Sequence, residues 1–193
     1  MLLCWKNYTL GNSSLGERVQ MKILFLDRDG VINREINYLH KISDFEFIEG
    51  VFESLKYIQN LGYKLIIVSN QSGIGRGMYD LKDFETLNNW MVKEFEKYNI
   101  KILDVYICPH SPDENCSCRK PKDGLFRIAF SEYKVEKKSS WMIGDSERDI
   151  VAAKKAGIDN TILVRSGHKI EENRTAASYV IDSISSIRNV IKK

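Results

Sequence analysis

Four short clusters concentrate the reactive side chains: Asp27-Arg28-Asp29-Gly30, Ser69-Asn70-Gln71-Ser72-Gly73, Cys118-Arg119-Lys120-Pro121, and Gly144-Asp145 with Asp149 one helical turn further on. Two carboxylates spaced as Asp-x-Asp can flank one substrate, one as nucleophile and the other as proton donor to a leaving oxygen. Crowded acids repel one another and lose hydration, so a divalent cation is expected among them, and an all-oxygen ligand set suits Mg2+. Carboxylate attack on phosphorus also needs positive charge nearby, because the incoming phosphoryl group is itself an anion. The cation, the Ser69 hydroxyl, the backbone N–H groups of the glycine-containing turn and Lys120 are the candidates to supply it. Any one of Asp27, Asp29 and Asp145 could be a turn or cap residue favoured for local hydrogen bonding. Their recurrence after successive strand-like segments is what sets them apart.

A second cluster has metal-ligand spacing. Cys108-x-His110-x5-Cys116-x-Cys118 offers three thiolates and one imidazole, the complement of a closed tetrahedral zinc site, with Pro109, Pro112 and Asp113 shaping the loop between them. Free surface thiols are the bland alternative. With four protein ligands the zinc would be structural, and it would pin the loop that delivers Arg119 and Lys120.

These clusters need elements to position them. The 193 residues are 43% hydrophobic and 28% charged, enough for one substantial core and short for two large domains. Strand-like runs at 23–26, 64–68, 102–107, 141–143, 161–164 and 179–181 alternate with helical patterns. Those helices are carried by Val51, Leu55 and Ile58, by Leu81 to Tyr98 after a capping Asp80, and by 125–133, 146–156 and 184–191. Such alternation predicts an α/β fold, a Rossmann-like parallel sheet with helices on both faces, whose ligands bind beyond the carboxyl ends of the strands. Residues 1–20 have no sustained period and are expected as a loose extension before a single domain over 21–193.

The net charge of +3 carries no nucleic-acid footprint, and no apolar run approaches the roughly 18 residues of a membrane span. No basic and apolar leader opens the chain, so a cytoplasmic enzyme acting on a small molecule is expected, with monomer as the plain oligomeric reading. Phe84, Trp90, Phe95 and Tyr98 read as core packing, Lys137, Lys138, Lys154 and Lys155 as solvated charges, and His40 and His168 as loop histidines without a site.

Taken together, Phe25 to Asn33, Val68 to Gly77, Cys118 to Pro121 and Ile143 to Asp145 resemble the four motifs of the haloacid dehalogenase superfamily of phosphatases. Within it they are similar to the phosphatases that take one phosphate from a heptose bisphosphate in bacterial heptose biosynthesis. Histidinol-phosphate phosphatases share the short zinc loop, and a phosphatase of nucleic-acid 3′ ends or a zinc-stabilised binding module are more distant alternatives. The resemblance implies that Asp27 forms an aspartyl-phosphate and that Asp29 acts first as acid and then as base. It implies Mg2+ held by the Asp27 side chain, the Asp29 backbone carbonyl and Asp145, and a phosphoryl group gripped by Ser69 and Lys120. Arg28, Tyr38, Asn70, Gln71, Ser72 and Arg119 would complete the substrate contacts. One departure stands out: the heptose phosphatases carry Lys after the fourth-motif Asp, where this chain has Ser146. The stretches between motifs leave no room for a cap domain. Short loops must therefore discriminate, with Arg34, Arg76 and Arg119 expected to hold a second phosphate.

Overall fold

The computed structural model describes residues 5–6 and 19–192. Its sheet contains Trp5–Lys6 (β1), Ile23–Leu26 (β2), Lys64–Asn70 (β3), Ile102–Cys108 (β4), Trp141–Gly144 (β5), Asn160–Val164 (β6) and Tyr179–Ile181 (β7), in the order β1-β4-β3-β2-β5-β6-β7. The six strands β2 to β7 are parallel, and β1 is antiparallel against β4. The expectation of a loose extension thus fails at Trp5–Lys6, which form an edge strand. Most of that extension otherwise lies outside the described residues.

Strand alternation explains why β2 reads as an unbroken apolar run. Ile23 and Phe25 point to one face, against Leu125, Phe126 and Ala129 of Gly124–Glu132 (α4) and Ala152, Ala153 and Ala156 of Glu147–Ala156 (α5). Leu24 and Leu26 point to the other, against Val51, Leu55 and Ile58 of Val51–Asn60 (α1) and Phe84, Leu87, Met91 and Phe95 of Leu81–Lys97 (α3). A short helix, Ser72–Gly75 (α2), follows β3 directly. Both faces being covered, every β2 side chain is buried, as a central parallel strand requires.

The closing segment corrects an expectation. The apolar pattern over 184–191 predicts an α-helix, and the chain instead forms a 3-10 helix over Ile184–Asn189. Ser183 caps its start, accepting from the Ser185 N–H at 3.3 Å, while Ser185 and Ser186 within it are weaker α-helix formers than Ala or Leu.

Chain order and sheet order reverse at β2: the chain passes to β3 and β4 on one side, then to β5, β6 and β7 on the other. That reversal opens a crevice at the carboxyl end of β2. Asp27 extends β2 into it, its N–H donating to Ile143 O at 3.0 Å. Among the described residues, no helix is long and apolar enough to cross a membrane.

The longest helix, α3, starts on a reciprocal cap in which Asp80 accepts from the Asp83 N–H at 2.8 Å and Asp83 from the Asp80 N–H at 3.1 Å. Asp80→Ala removes one half of it. The expected loss is about 1 kcal/mol of stability in urea unfolding with turnover unchanged, since the cap is exposed and stands apart from the crevice.

Candidate active site

At the carboxyl end of the sheet, Lys120 reaches back from the loop after β4 and buries its ammonium completely. Its Nζ lies 2.9 Å from Asp27 Oδ2 and 2.7 Å from Asp149 Oδ1, and donates to Val68 O at 2.7 Å. Burial would lower the lysine's pKa, but Asp149 and Asp27 outweigh it and hold the group above its ordinary value. Asn70 fixes the loop from below, donating to Lys120 O at 3.1 Å and accepting from the Lys120 N–H at 3.0 Å. Its amide is therefore spent on the Lys120 peptide, which makes it a support for the loop before it is a substrate contact.

The two acids at that ammonium, Asp27 and Asp149, belong to a cluster of three. Carboxylate oxygens of Asp27, Asp145 and Asp149 lie within 4.8 Å of one another, all buried. Burial pushes the Asp27 carboxyl up to about 6, Lys120 pulling it down while Asp149 and Asp29 push it further up. Burial and Asp27 likewise hold Asp145 above the usual carboxylate range, against hydrogen bonds from His168. One ammonium against three acids leaves an excess of negative charge in a dry place, and oxygen-only donors of that charge fit a divalent cation such as Mg2+. Asp149 is the member that the four-motif reading left without a role. One of its oxygens faces Lys120 and the other accepts from the Ser146 N–H at 3.0 Å, so it acts as counter-ion and helix cap.

Asp29 turns away from this group. Arg28 donates to it from Nη2 at 2.9 Å and from Nε at 3.2 Å, Asn33 from Nδ2 at 2.9 Å and Gln71 from Nε2 at 3.0 Å. Arg28, expected to touch substrate, is 2% exposed and also bonds Leu39 O, so it orients Asp29. Gln71 likewise orients: its Nε2 also donates to Ser69 Oγ at 2.8 Å and its Oε1 accepts from Tyr79 at 2.7 Å. Tyr79 carried no sequence signal beyond an apolar position, and neither did His40, whose ring stacks on it at 5.1 Å.

A cleft of about 170 Å3 opens over these groups, lined by Asp27, Arg28, Asp29, Tyr38, Ser69, Asn70, Gln71, Ser72, Arg119 and Asp145 among the expected residues. Glu35, Arg148 and His168 line it too. His168 is a correction to its reading as a loop histidine, because Nδ1 sits 2.6 Å from Asp145 Oδ2. Spacing alone could not reveal this, since 23 residues, a helix and a strand separate the pair. Arg34 and Arg76 correct another expectation: both are exposed and outside the cleft lining, and Arg34 pairs with Glu46 at 3.0 Å. Arg119 does line the cleft, and its Nη1 is buried without a hydrogen-bond partner.

The cysteine cluster starts where β4 ends, at Cys108, which stands beside Asn70 of β3 in the sheet. Cys108 Sγ lies 3.4 Å from His110 Nδ1 and 3.5 Å from Cys116 Sγ, and Cys118 Sγ lies 3.4 Å from His110 Nδ1 and 3.8 Å from Cys116 Sγ. A tetrahedral zinc with sulfur at 2.3 Å has ligand edges of about 3.8 Å, close to these distances. Burial pushes the Cys108 thiol up to about 12, so the thiolate needs a cation to form.

The fold and this arrangement of aspartates and lysine define a hydrolase of the haloacid dehalogenase superfamily, and a family model for HAD-hydrolase-like proteins matches residues 117–187. Three curated relatives narrow this. A D-glycero-alpha-D-manno-heptose-1,7-bisphosphate 7-phosphatase of Photorhabdus laumondii is 44% identical over 79% of this chain and 87% of its own. The corresponding beta-heptose enzymes of Haemophilus ducreyi and Helicobacter pylori are 41% and 46% identical, over 84% and 74% of this chain and 94% and 83% of theirs. The chain belongs to this family of heptose-1,7-bisphosphate 7-phosphatases. Among solved structures, the heptose bisphosphate phosphatase of B. bronchiseptica complexed with magnesium and phosphate superposes with a TM-score of 0.77 at 27% identity, over 88% of this chain and 97% of that one.

Tyr79 gives a test of the orienting layer. Burial pushes its hydroxyl up to about 12, so at neutral pH it is a donor, and Tyr79→Phe leaves the Gln71 oxygen without it. A stability loss of roughly 1–3 kcal/mol is expected in urea unfolding, with a fall in kcat larger than any change in KM as Asp29 loses its fixed direction.

Proposed function

We propose that the protein hydrolyses the 7-phosphate of D-glycero-D-manno-heptose 1,7-bisphosphate through a phosphoryl group carried on Asp27. The convergence of Asp27, Asp149 and Val68 on the buried Lys120 carries this reading, since it sets a fixed positive charge beside a carboxylate that lines the cleft. An Asp27 oxygen attacks phosphorus, the bond from phosphorus to the sugar oxygen breaks, and Asp29 delivers the proton that the leaving oxygen takes up. Asp29, then ionised, takes a proton from water, whose oxygen attacks phosphorus and releases Asp27 and inorganic phosphate. In the structure Asp29 is encircled by donors, an arrangement suited to its basic form, so proton delivery requires the side chain to leave Arg28. Ser69 and Lys120 hold the equatorial oxygens; Gln71 donates to Ser69 Oγ, which frees the Ser69 hydroxyl proton for the phosphoryl group. The donor set of Asp27, Asp145 and the Asp29 carbonyl is assigned to Mg2+, which when bound neutralises the approaching anion.

Specificity is assigned to the loops. Tyr38 and Ser72 at the rim and Arg119, with its unpartnered Nη1, meet the part of the substrate beyond the reacting phosphate, and a guanidinium suits a second phosphate there. Residues 21–193 then act as one capless phosphatase domain in the bacterial cytoplasm whose partner is a phosphorylated sugar and neither nucleic acid nor membrane. Zinc is assigned to Cys108, His110, Cys116 and Cys118 as a structural ion.

Phosphate release from heptose 1,7-bisphosphate and from histidinol phosphate, with Mg2+ and with EDTA, tests the reading. The heptose substrate is expected to win by at least ~100-fold in kcat/KM, about 3 kcal/mol, with EDTA and Asp27→Asn each abolishing turnover. Equal turnover of histidinol phosphate overturns the substrate, and more than a few per cent activity in Asp27→Asn overturns the nucleophile. For the zinc loop, Cys116→Ser is expected to lower zinc content by elemental analysis and to lower stability. Alkylation of the zinc-loaded protein should leave turnover intact.

A further inference from the structure

Asp145 is held by a residue to which the proposed reaction gives no part. Its Oδ2 accepts two hydrogen bonds from one residue of the loop after β6: from the His168 backbone N–H at 3.0 Å and from His168 Nδ1 at 2.6 Å. Gly30 and Gly167 wall the carboxylate on both sides, and a Cβ on either glycine would collide with it. The carboxylate thus has one available direction, with Oδ2 occupied and Oδ1 left for another partner. The imidazole is itself set in place. Arg148 Nη2 lies 3.2 Å from His168 Nε2, and Arg148 Nε donates to Ser146 Oγ at 3.0 Å.

Donor and acceptor roles follow from chemistry. A carboxylate oxygen can only accept and a guanidinium can only donate, so Asp145 takes the proton-bearing Nδ1 and Arg148 faces a lone pair on Nε2. Asp145 and Glu35 favour a second proton on the ring while burial and Arg148 oppose it; in either charge state Nδ1–H points at Asp145.

We infer that His168 is a positioning residue that aims Asp145 at the divalent cation, with Arg148, seated on Ser146, setting the orientation of the ring. The inference rests on the assignment of Asp145 as a cation ligand. Histidine and carboxylate here exchange their usual places around a metal: the carboxylate is the ligand and the imidazole is the outer partner that fixes its free oxygen. The arrangement also accounts for a half-buried arginine on the first turn of α5, which spans from Ser146 to His168.

Calorimetric titration of the full chain with Mg2+, without substrate, reads the inference directly. Asp145→Asn is expected to abolish binding; if it binds as the unaltered chain does, the cation assignment itself fails. His168→Ala is expected to weaken Mg2+ binding about 10- to 100-fold while KM at saturating Mg2+ stays near its original value. His168→Asn, whose amide N–H can occupy the place of Nδ1–H, is expected to recover most of the affinity, whereas His168→Gln, one carbon longer, is not. Arg148→Ala should weaken binding in the same direction by a smaller factor. His168 lies in a partly exposed loop, and an unchanged urea midpoint checks that each variant folds. Unaltered Mg2+ affinity in His168→Ala overturns the inference, as does His168→Asn binding no better than alanine. Two cations per chain falling to one in His168→Ala would also overturn it, since with Glu35 and Asp145 within 4.8 Å the imidazole would then be a ligand itself.

Discussion

A buried ammonium is the constraint on which the rest of the site depends. Lys120 carries its charge in a place where an unpaired ion would cost several kcal/mol, and two carboxylates and one carbonyl are what make its burial tolerable. Each of those partners belongs to a different segment: the end of β2, the end of β3 and the first turn of α5. The lysine therefore ties two strand ends and a helix start together, and the same contact that binds them places a positive charge beside Asp27. Structural and chemical roles coincide here. A neutral isostere would relieve the desolvation and remove the group that an arriving phosphate needs.

Around this pair the site is built in layers that divide labour. Arg28, Asn33 and Gln71 orient Asp29, Tyr79 orients Gln71, and Asn70 holds the peptide of Lys120. Many polar residues near the reacting position therefore face other protein groups, and comparatively few face the cleft. Arg119 and the rim loop with Tyr38 are among those that do. The cysteine cluster belongs to the same scheme, since Cys108 stands beside Asn70 and Cys118 immediately precedes Arg119 and Lys120.

Much of this was legible in the amino-acid sequence because it is local. Apolar runs of strand length alternating with helical periodicity announced the parallel sheet, and the aspartates after Leu26 and Gly144 stood at strand ends where such sheets bind ligands. Asp80 and Gly157 behaved as cap residues should. What escaped was long-range. His168 and Tyr79 act through partners in other elements, and a lone histidine in a loop looks the same whether or not a carboxylate waits across the sheet. Charge was misread for a similar reason: Arg34 and Arg76 fall near the motifs in sequence yet lie outside the cleft, whereas Arg148 was passed over and lines it. The 3-10 helix at Ile184–Asn189 shows the remaining weakness: an apolar period places a helix without fixing its hydrogen-bond pattern.

The dispersal of the lysine's partners also bears on how the chain acquires its activity during synthesis. Asp27 is made early, with neither cation nor counter-charge available to it; Val68 precedes Lys120 by 52 positions, and Asp149 follows later still. Contacts so distant along the chain form only as the sheet closes, because loop-closure entropy must be overcome before they contribute. An N-terminal piece ending before α5 would hold Asp27 and the lysine without the second carboxylate that makes the lysine's burial favourable. Phosphatase competence is thus a property of the completed sheet, and a nascent or truncated chain has no partial version of it.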